Sequence, residues 1–218
     1  ARRRLGPRHQ RPAAPRRPRA RRLGPPPVAA RNLIAVLDLE WTSWEGARRR
    51  EWQGPGEEME IVQIGAITLT DDAALVETGA LDVLVTPRIN PALSDYFVRL
   101  TGIAQAKLDA EGVDFKTALD RLVRFLAGVG EIWSYGSDYK VIQRNCALNG
   151  LAFPFDDGLF RDARKLIGDA TNVDTNHVFS SGLPEAMGFP RPGTAHQGVD
   201  DCRCIAEALR ILRRQGKF

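Results

Sequence analysis

No stretch of this 218-residue chain holds the roughly 18 continuous apolar residues that a membrane span needs, and none reads as a signal-peptide core. Cysteine is scarce. Cys146, Cys202 and Cys204 are the only three, and an odd number builds no disulfide framework. The Cys-x-Cys pair sits in an apparent helix, where its thiols diverge, so small buried thiols are expected over a zinc site. Together these absences point to a soluble, reducing compartment, and the cytoplasm is the expected location. Internal repeats are missing as well. Acidic residues are absent from residues 1–31, which hold eleven arginines and seven prolines. That stretch carries +11 against a total of +4, which leaves −7 for residues 32–218. The pI of about 9.2 therefore describes the first 31 residues. Overall basicity is no argument that the remainder binds nucleic acid.

Residues 1–31 have too few large apolar side chains to fold and too many prolines for a helix. Three readings stay open for this tail: a disordered basic arm for phosphate backbones, an acid-free transit peptide, or a translation artefact outside the native protein. Residues 32–218 are expected to form one domain, in keeping with 43% apolar content.

Within that domain, Leu33 to Glu40 reads as a buried strand and Trp41 to Glu58 as a polar loop. Ile61 to Leu69 and Leu81 to Val85 read as two more strands, joined by a turn near Asp71-Asp72. Short helical turns are expected over 93–100 and 103–108, and an amphipathic helix over Phe115 to Leu126. Glu131 to Tyr135 reads as a fourth strand and Asp138 to Leu148 as a helix. Further helices are expected over Phe160 to Ile167, Gly182 to Gly188 and Val199 to Arg213. Strands first and interleaved helices later predict an α/β domain with a mixed sheet.

Polar punctuation of the apolar runs is the chemical signal. Asp38 and Glu40 interrupt the first strand two residues apart, so both project from one face, about 7 Å apart. Two neighbouring carboxylates repel and resist burial unless a cation lies between them. Oxygen ligands favour Mg²⁺ or Mn²⁺, and the pattern proposes a metal-dependent hydrolase. Asp138 lies where a strand gives way to a helix, a usual place for active-site residues in open α/β sheets, and also for an N-cap. Asp201 falls in the first turn of the last helix, where the dipole favours a carboxylate; an ordinary acidic helix start, with Asp200, is the alternative. His196 precedes that helix on a looser segment, suited to taking a proton from water. His177 reads as a solvated loop residue. Trp41, Trp44 and Trp52 crowd the first loop, either as a base-stacking surface or packed against the domain.

Asp38-x-Glu40, Asp138 and His196-x-x-x-x-Asp201, in this order, resemble the motifs of the DEDDh 3′–5′ exonucleases, the RNase T and proofreading-subunit superfamily. Met59-Glu-Ile-Val-Gln-Ile-Gly65, Leu93-Ser-Asp-Tyr-Phe97, Leu100-Thr-Gly-Ile103 and the run from His196 to Ala206 are similar to the branch that trims small RNAs and histone stem-loop RNA, with its bacterial sporulation-inhibitor relatives. The resemblance spans roughly residues 32–213. It implies an RNase H-like mixed β-sheet flanked by helices and two Mg²⁺ (or Mn²⁺) ions held by Asp38, Glu40, Asp138 and Asp201. It further implies that His196 activates the attacking water. Leu39 and Trp41 would contact the sugar of the terminal nucleotide through their main chain, and Leu100 and Thr101 its base. The implied activity is 3′–5′ exonucleolytic release of nucleoside 5′-monophosphates from single-stranded or overhanging 3′ ends, RNA preferred. A DNA-directed proofreading or repair exonuclease and a catalytically silent nucleic-acid-binding module are the alternatives.

Overall fold

A computed structural model describes residues 33–218; the expectations for the tail lie outside the described residues. The five strands β1 (Leu33–Trp41), β2 (Ile61–Thr70), β3 (Glu77–Leu84), β4 (Glu131–Ser134) and β5 (Phe160–Asp162) form one sheet in the order β3-β2-β1-β4-β5. β1, β2 and β3 pair antiparallel, while β4 and β5 run parallel to β1. The helices are α1 (Asp95–Thr101), α2 (Gln105–Glu111), α3 (Phe115–Phe125), α4 (Asp138–Leu148), α5 (Ala163–Ala170), α6 (Leu183–Met187) and α7 (Gly198–Arg214). The sheet is mixed, as expected.

β1 is central, so both of its faces are covered, and its residues alternate between two cores. Ala35, Leu37 and Leu39 pack with Leu119 and Leu122 of α3 and with Val141 and Ile142 of α4. Ile34 and Val36 face the other way, onto Ala163 and Ile167 of α5 and Cys202, Ile205 and Leu209 of α7. Each fully buried Leu or Ile contributes about 2 kcal/mol. A smaller cluster of Val62, Leu84, Phe97, Ile103 and Leu108 seats α1 and α2 on the end of the antiparallel half. All three cysteines are free and buried.

Two expected boundaries need correction. β3 begins at Glu77 rather than Leu81. Its first half, Glu77-Thr-Gly-Ala80, alternates half-buried and exposed on the sheet edge and lacks the apolar run that marks a buried strand. The segment predicted as helix from Phe160 opens with β5 and becomes helical only at Ala163. Phe-Arg-Asp carries no strand signature, and pairing with β4 decides its conformation.

Candidate active site

Asp38 and Glu40 share the α7 face of β1 with Ile34 and Val36, toward the strand's carboxyl end. β4 runs parallel to β1 and ends at the same side of the sheet, where Gly136, at φ 115°, turns the chain into α4. Asp138 is the first residue of α4. The N-cap is Ser137, so Asp138 is not the capping residue, and its carboxyl turns into the interior, 8% exposed.

α7 delivers the remaining groups through a close backbone crossing. Gly65, the β2 partner of Asp38, lies so near Gly198 that a Cβ on Gly65 would stand 2.2 Å from the Gly198 carbonyl carbon. Only two glycines allow this approach, and it sets the first turn of α7 against Asp38. Gln63 accepts a hydrogen bond from the Gly198 N–H (3.1 Å) and donates to Asp82 (2.8 Å), satisfying one exposed helix donor. Within that turn the two acidic residues diverge. Asp200 accepts from the Thr194 N–H (2.8 Å) and pairs with Arg203 (3.0 Å). Asp201 is buried, accepts the His196 N–H at 3.0 Å through Oδ2, and leaves Oδ1 without a hydrogen-bond partner among the described residues.

His196 has a left-handed backbone, φ 57°, which is costly for a residue with a Cβ. Its neighbours hold it there: its N–H is bonded to Asp201, and the next side chain, Gln197, donates to the Thr101 carbonyl at 2.8 Å. The imidazole Nδ1 lies 3.8 Å from Glu40 Oε1, too long for a hydrogen bond. Ligand atoms of Glu40, His196 and Asp201 all fall within 4.8 Å of one another. Asp38 and Asp138 stand just outside this triad, but Asp38 is close enough to Glu40, Asp138 and Asp201 to be repelled by all three.

The electrostatics follow from burial. Asp38 is pushed well above the carboxylate range by burial and then by Asp201, Asp138 and Glu40, while the Ser180 hydroxyl draws it down. Burial raises Glu40 to about 8, with Asp201 and Asp138 adding to it. Asp138 rises to about 7 through burial and Asp162, against the Leu39 N–H. Asp201 likewise rises to about 7 through burial, and the His196 N–H and Arg191 oppose the rise. Burial and Arg191 lower His196 below 6.5, which leaves the imidazole neutral at pH 7 and able to accept a proton. Among the described residues no lysine or arginine forms an ion pair with any of the four carboxylates. Crowded, buried oxygens with one unsatisfied acceptor fit a hard divalent cation.

A cavity of about 450 Å³ opens over these groups, walled by Asp38, Glu40, Asp138 and His196. Asp201 lies beneath it. Leu39, Trp41 and Leu100 line the cavity, whereas Thr101 stands behind Leu100, only 2% exposed. The Thr101 hydroxyl donates to Phe97 O (3.0 Å) and accepts from Ile103 N (3.1 Å), closing the helix end. The loop after β1 contains a 3-10 turn, Ala47–Arg50, which the sequence reading missed. Trp52 donates to Thr42 O at 3.0 Å and packs 6.0 Å from Trp41, so the tryptophans both pack on the domain and line the cavity. His177 is exposed beside Asp174 and does not line the cavity, as expected of a solvated loop. Sequence reasoning also missed Gln63, Tyr135, Arg164, Ser180, Arg191 and Gln197. Of these, only Gln63 carried a signal, as a polar residue inside an apolar strand.

The fold and this cluster define a candidate divalent-cation centre of a hydrolytic enzyme at the carboxyl ends of parallel strands. The RNase_T exonuclease family matches residues 35–209, and the chain belongs to that family. It is 26% identical over 193 residues to 3′-5′ exoribonuclease 1 of Rattus norvegicus, covering 84% of this chain and 53% of that protein. It is 25% identical to the probable 3′-5′ exonuclease KapD of Bacillus subtilis (strain 168), covering 86% of this chain and 87% of that protein. The chain thus spans about half the length of the exoribonuclease 1 relatives it matches. Among solved structures, the nuclease domain of 3′hExo, a DEDDh family member bound to rAMP, superposes with a TM-score of 0.73 at 24% identity. The match covers 85% of this chain and 94% of that one. The expected RNase H-like architecture is therefore the observed one. Among the described residues no helix is long and apolar enough to cross a membrane.

Proposed function

We propose that this protein is a divalent-metal-dependent 3′–5′ exonuclease that removes nucleoside 5′-monophosphates from single-stranded or overhanging 3′ ends, with RNA preferred to DNA. The observation that carries the reading is the convergence of Glu40, His196 and Asp201 within 4.8 Å, beside the buried Asp38 and Asp138, under one cavity. The similarity to exoribonucleases supports the RNA preference.

Asp38, Glu40, Asp138 and Asp201 would hold two Mg²⁺ or Mn²⁺ ions. Bound there, such a pair supplies positive charge to the attacking and leaving oxygens of an in-line phosphoryl displacement. The remaining steps belong to the protein. His196, neutral at pH 7, takes the proton of the attacking water. Asp201 fixes the His196 backbone through its N–H and so aims the ring toward Glu40. Leu39, Trp41 and Leu100 wall the space for the terminal nucleotide. Thr101 takes part through its carbonyl, which accepts from Gln197 and so ties the end of α1 to the residue after His196.

Digestion of 3′-end-labelled RNA, matched DNA and duplexes, with and without Mg²⁺ and Mn²⁺, tests this. Metal-dependent release of labelled nucleoside 5′-monophosphate, faster from RNA, is expected. Faster cleavage of DNA would assign a DNA-directed enzyme, and metal-independent binding without release would assign a silent binding module.

A further inference from the structure

The cavity above the carboxylates has an opposite rim that the proposed chemistry does not use. Arg48 reaches it from the loop after β1, and Arg164 from the first turn of α5. Most arginines near carboxylates on this surface are ion-paired: Arg50 with Glu57, Arg144 with Glu58, Arg191 with Glu185, Arg203 with Glu77 and Asp200. Arg48 and Arg164 form no ion pair among the described residues. Instead the Arg48 guanidinium lies 4.4 Å over the ring of Phe179, whose own face is 51% exposed. Arg164 donates to the neutral Asn176 side chain at 2.9 Å, leaving the rest of its fork free. The Tyr135 side chain lines the same cavity, its hydroxyl buried and, among the described residues, without a hydrogen-bond partner.

The loop that carries Arg48 is built rather than slack. Glu51 and Trp52 both adopt left-handed backbone, φ 53° and 54°, which is costly for residues with a Cβ. The Trp52 indole bond to Thr42 O, the Arg50–Glu57 pair and the Glu58–Arg144 pair hold that conformation. Backbone strain sustained by this many contacts fixes Arg48 above the cavity mouth, where it meets Phe179 from the far side. The domain as a whole is acidic, so two unpaired guanidinium groups at this one rim are a local reversal of charge.

We propose that Arg48 and Arg164 form a clamp for the phosphodiester backbone on the 5′ side of the scissile bond. This rests on the exonuclease reading and adds to it the residues that hold the non-terminal nucleotides. The carboxylate floor leaves no room for an anion without cations, whereas the rim offers planar forks suited to phosphate oxygens. Stacking on Phe179 keeps the Arg48 fork face-on to the passing strand.

The test compares two substrates at saturating Mg²⁺: a single-stranded RNA oligomer, and the p-nitrophenyl ester of a nucleoside 5′-monophosphate, which has no 5′-side phosphodiester. For R48A/R164A, the ratio of oligomer to ester kcat/KM should fall about tenfold. The slope of log(kcat/KM) against log salt on the oligomer should become shallower by about 0.7 per arginine. Lysine at both positions should restore most of the slope, because the charge is kept. Arg121→Ala/Arg124→Ala, at two exposed residues of α3 that do not line the cavity, should leave the ratio unaltered and serves as the charge-matched control. An unchanged ratio and slope in R48A/R164A would overturn the clamp while leaving the exonuclease reading intact. An equal loss on the ester would overturn it too, by placing the arginines in the chemistry. If the wild-type protein cleaves neither substrate, the exonuclease reading fails and takes the clamp with it.

Discussion

Replacing Asp201 by asparagine should stabilise the metal-free protein while abolishing its activity. The side chain is buried, and Oδ1 has no hydrogen-bond donor to offset its charge. Burial lifts its carboxyl from 3.8 to about 7. A raised folded-state value makes ionisation costly to the folded protein. The associated stability is therefore present in full below the unfolded value of 3.8 and is lost as pH rises toward about 7. At 1.36 kcal/mol per pKa unit the ceiling is about 4 kcal/mol at pH 8, shrinking to under about 1 kcal/mol at pH 4. Asparagine keeps the acceptor for the His196 N–H and removes the charge. For a domain of this size, thermal melts in EDTA at pH 8 should show the variant higher by up to about 12 °C. The gap should close at pH 4. Adding Mg²⁺ should narrow the gap, because only the wild-type site gains about 2.7 kcal/mol at a hundredfold excess over Kd. A variant no more stable than wild type at pH 8 without metal, or a difference that ignores pH, would refute the argument from uncompensated buried charge.

Three further outcomes can be measured directly. Asp38→Ala and Asp138→Ala should each eliminate cleavage of labelled RNA while the circular dichroism spectrum and melt persist, because each would remove a proposed metal ligand and relieve repulsion. His196→Ala should slow turnover by about 10²- to 10⁴-fold while Mn²⁺ binding, followed calorimetrically, survives. At saturating metal the wild-type rate should fall with acidity only below the ordinary imidazole range, since burial and Arg191 lower His196, and the variant should lose that limb. Gly65→Ala would force a methyl into the Gly198 backbone. Its melt should drop by more than about 3 kcal/mol equivalent, as for severe overpacking, and a near-native melt would show that α7 can shift without cost.

The central strand and its two carboxylates were legible because Asp and Glu are conspicuous in an apolar run and strand geometry alone puts them on one face. The start of α4 at Asp138 and that of α7 one residue before Val199 were legible for a similar reason, as periodic segments bounded by polar residues. What the residues could not disclose was the convergence. Asp138 and Asp201 meet Asp38 only because β4 runs parallel to β1 and because Gly65 and Gly198 let a helix lie against the sheet. Neither glycine announces its partner 133 positions away. Edge strands such as β5, and long side chains such as Arg48 that reach in from loops, are placed by tertiary contacts. Local pattern carries no trace of them.

The bond from Gln197 to the Thr101 carbonyl acts as a strut between two walls that sequence separates widely. One end is the last turn of α1, next to Leu100; the other is the residue that follows His196. Under the proposed function, a terminal nucleotide that displaces the α1 wall would tug on the segment presenting His196. Ill-fitting 3′ ends should then betray themselves as sluggish turnover before they show as weak association.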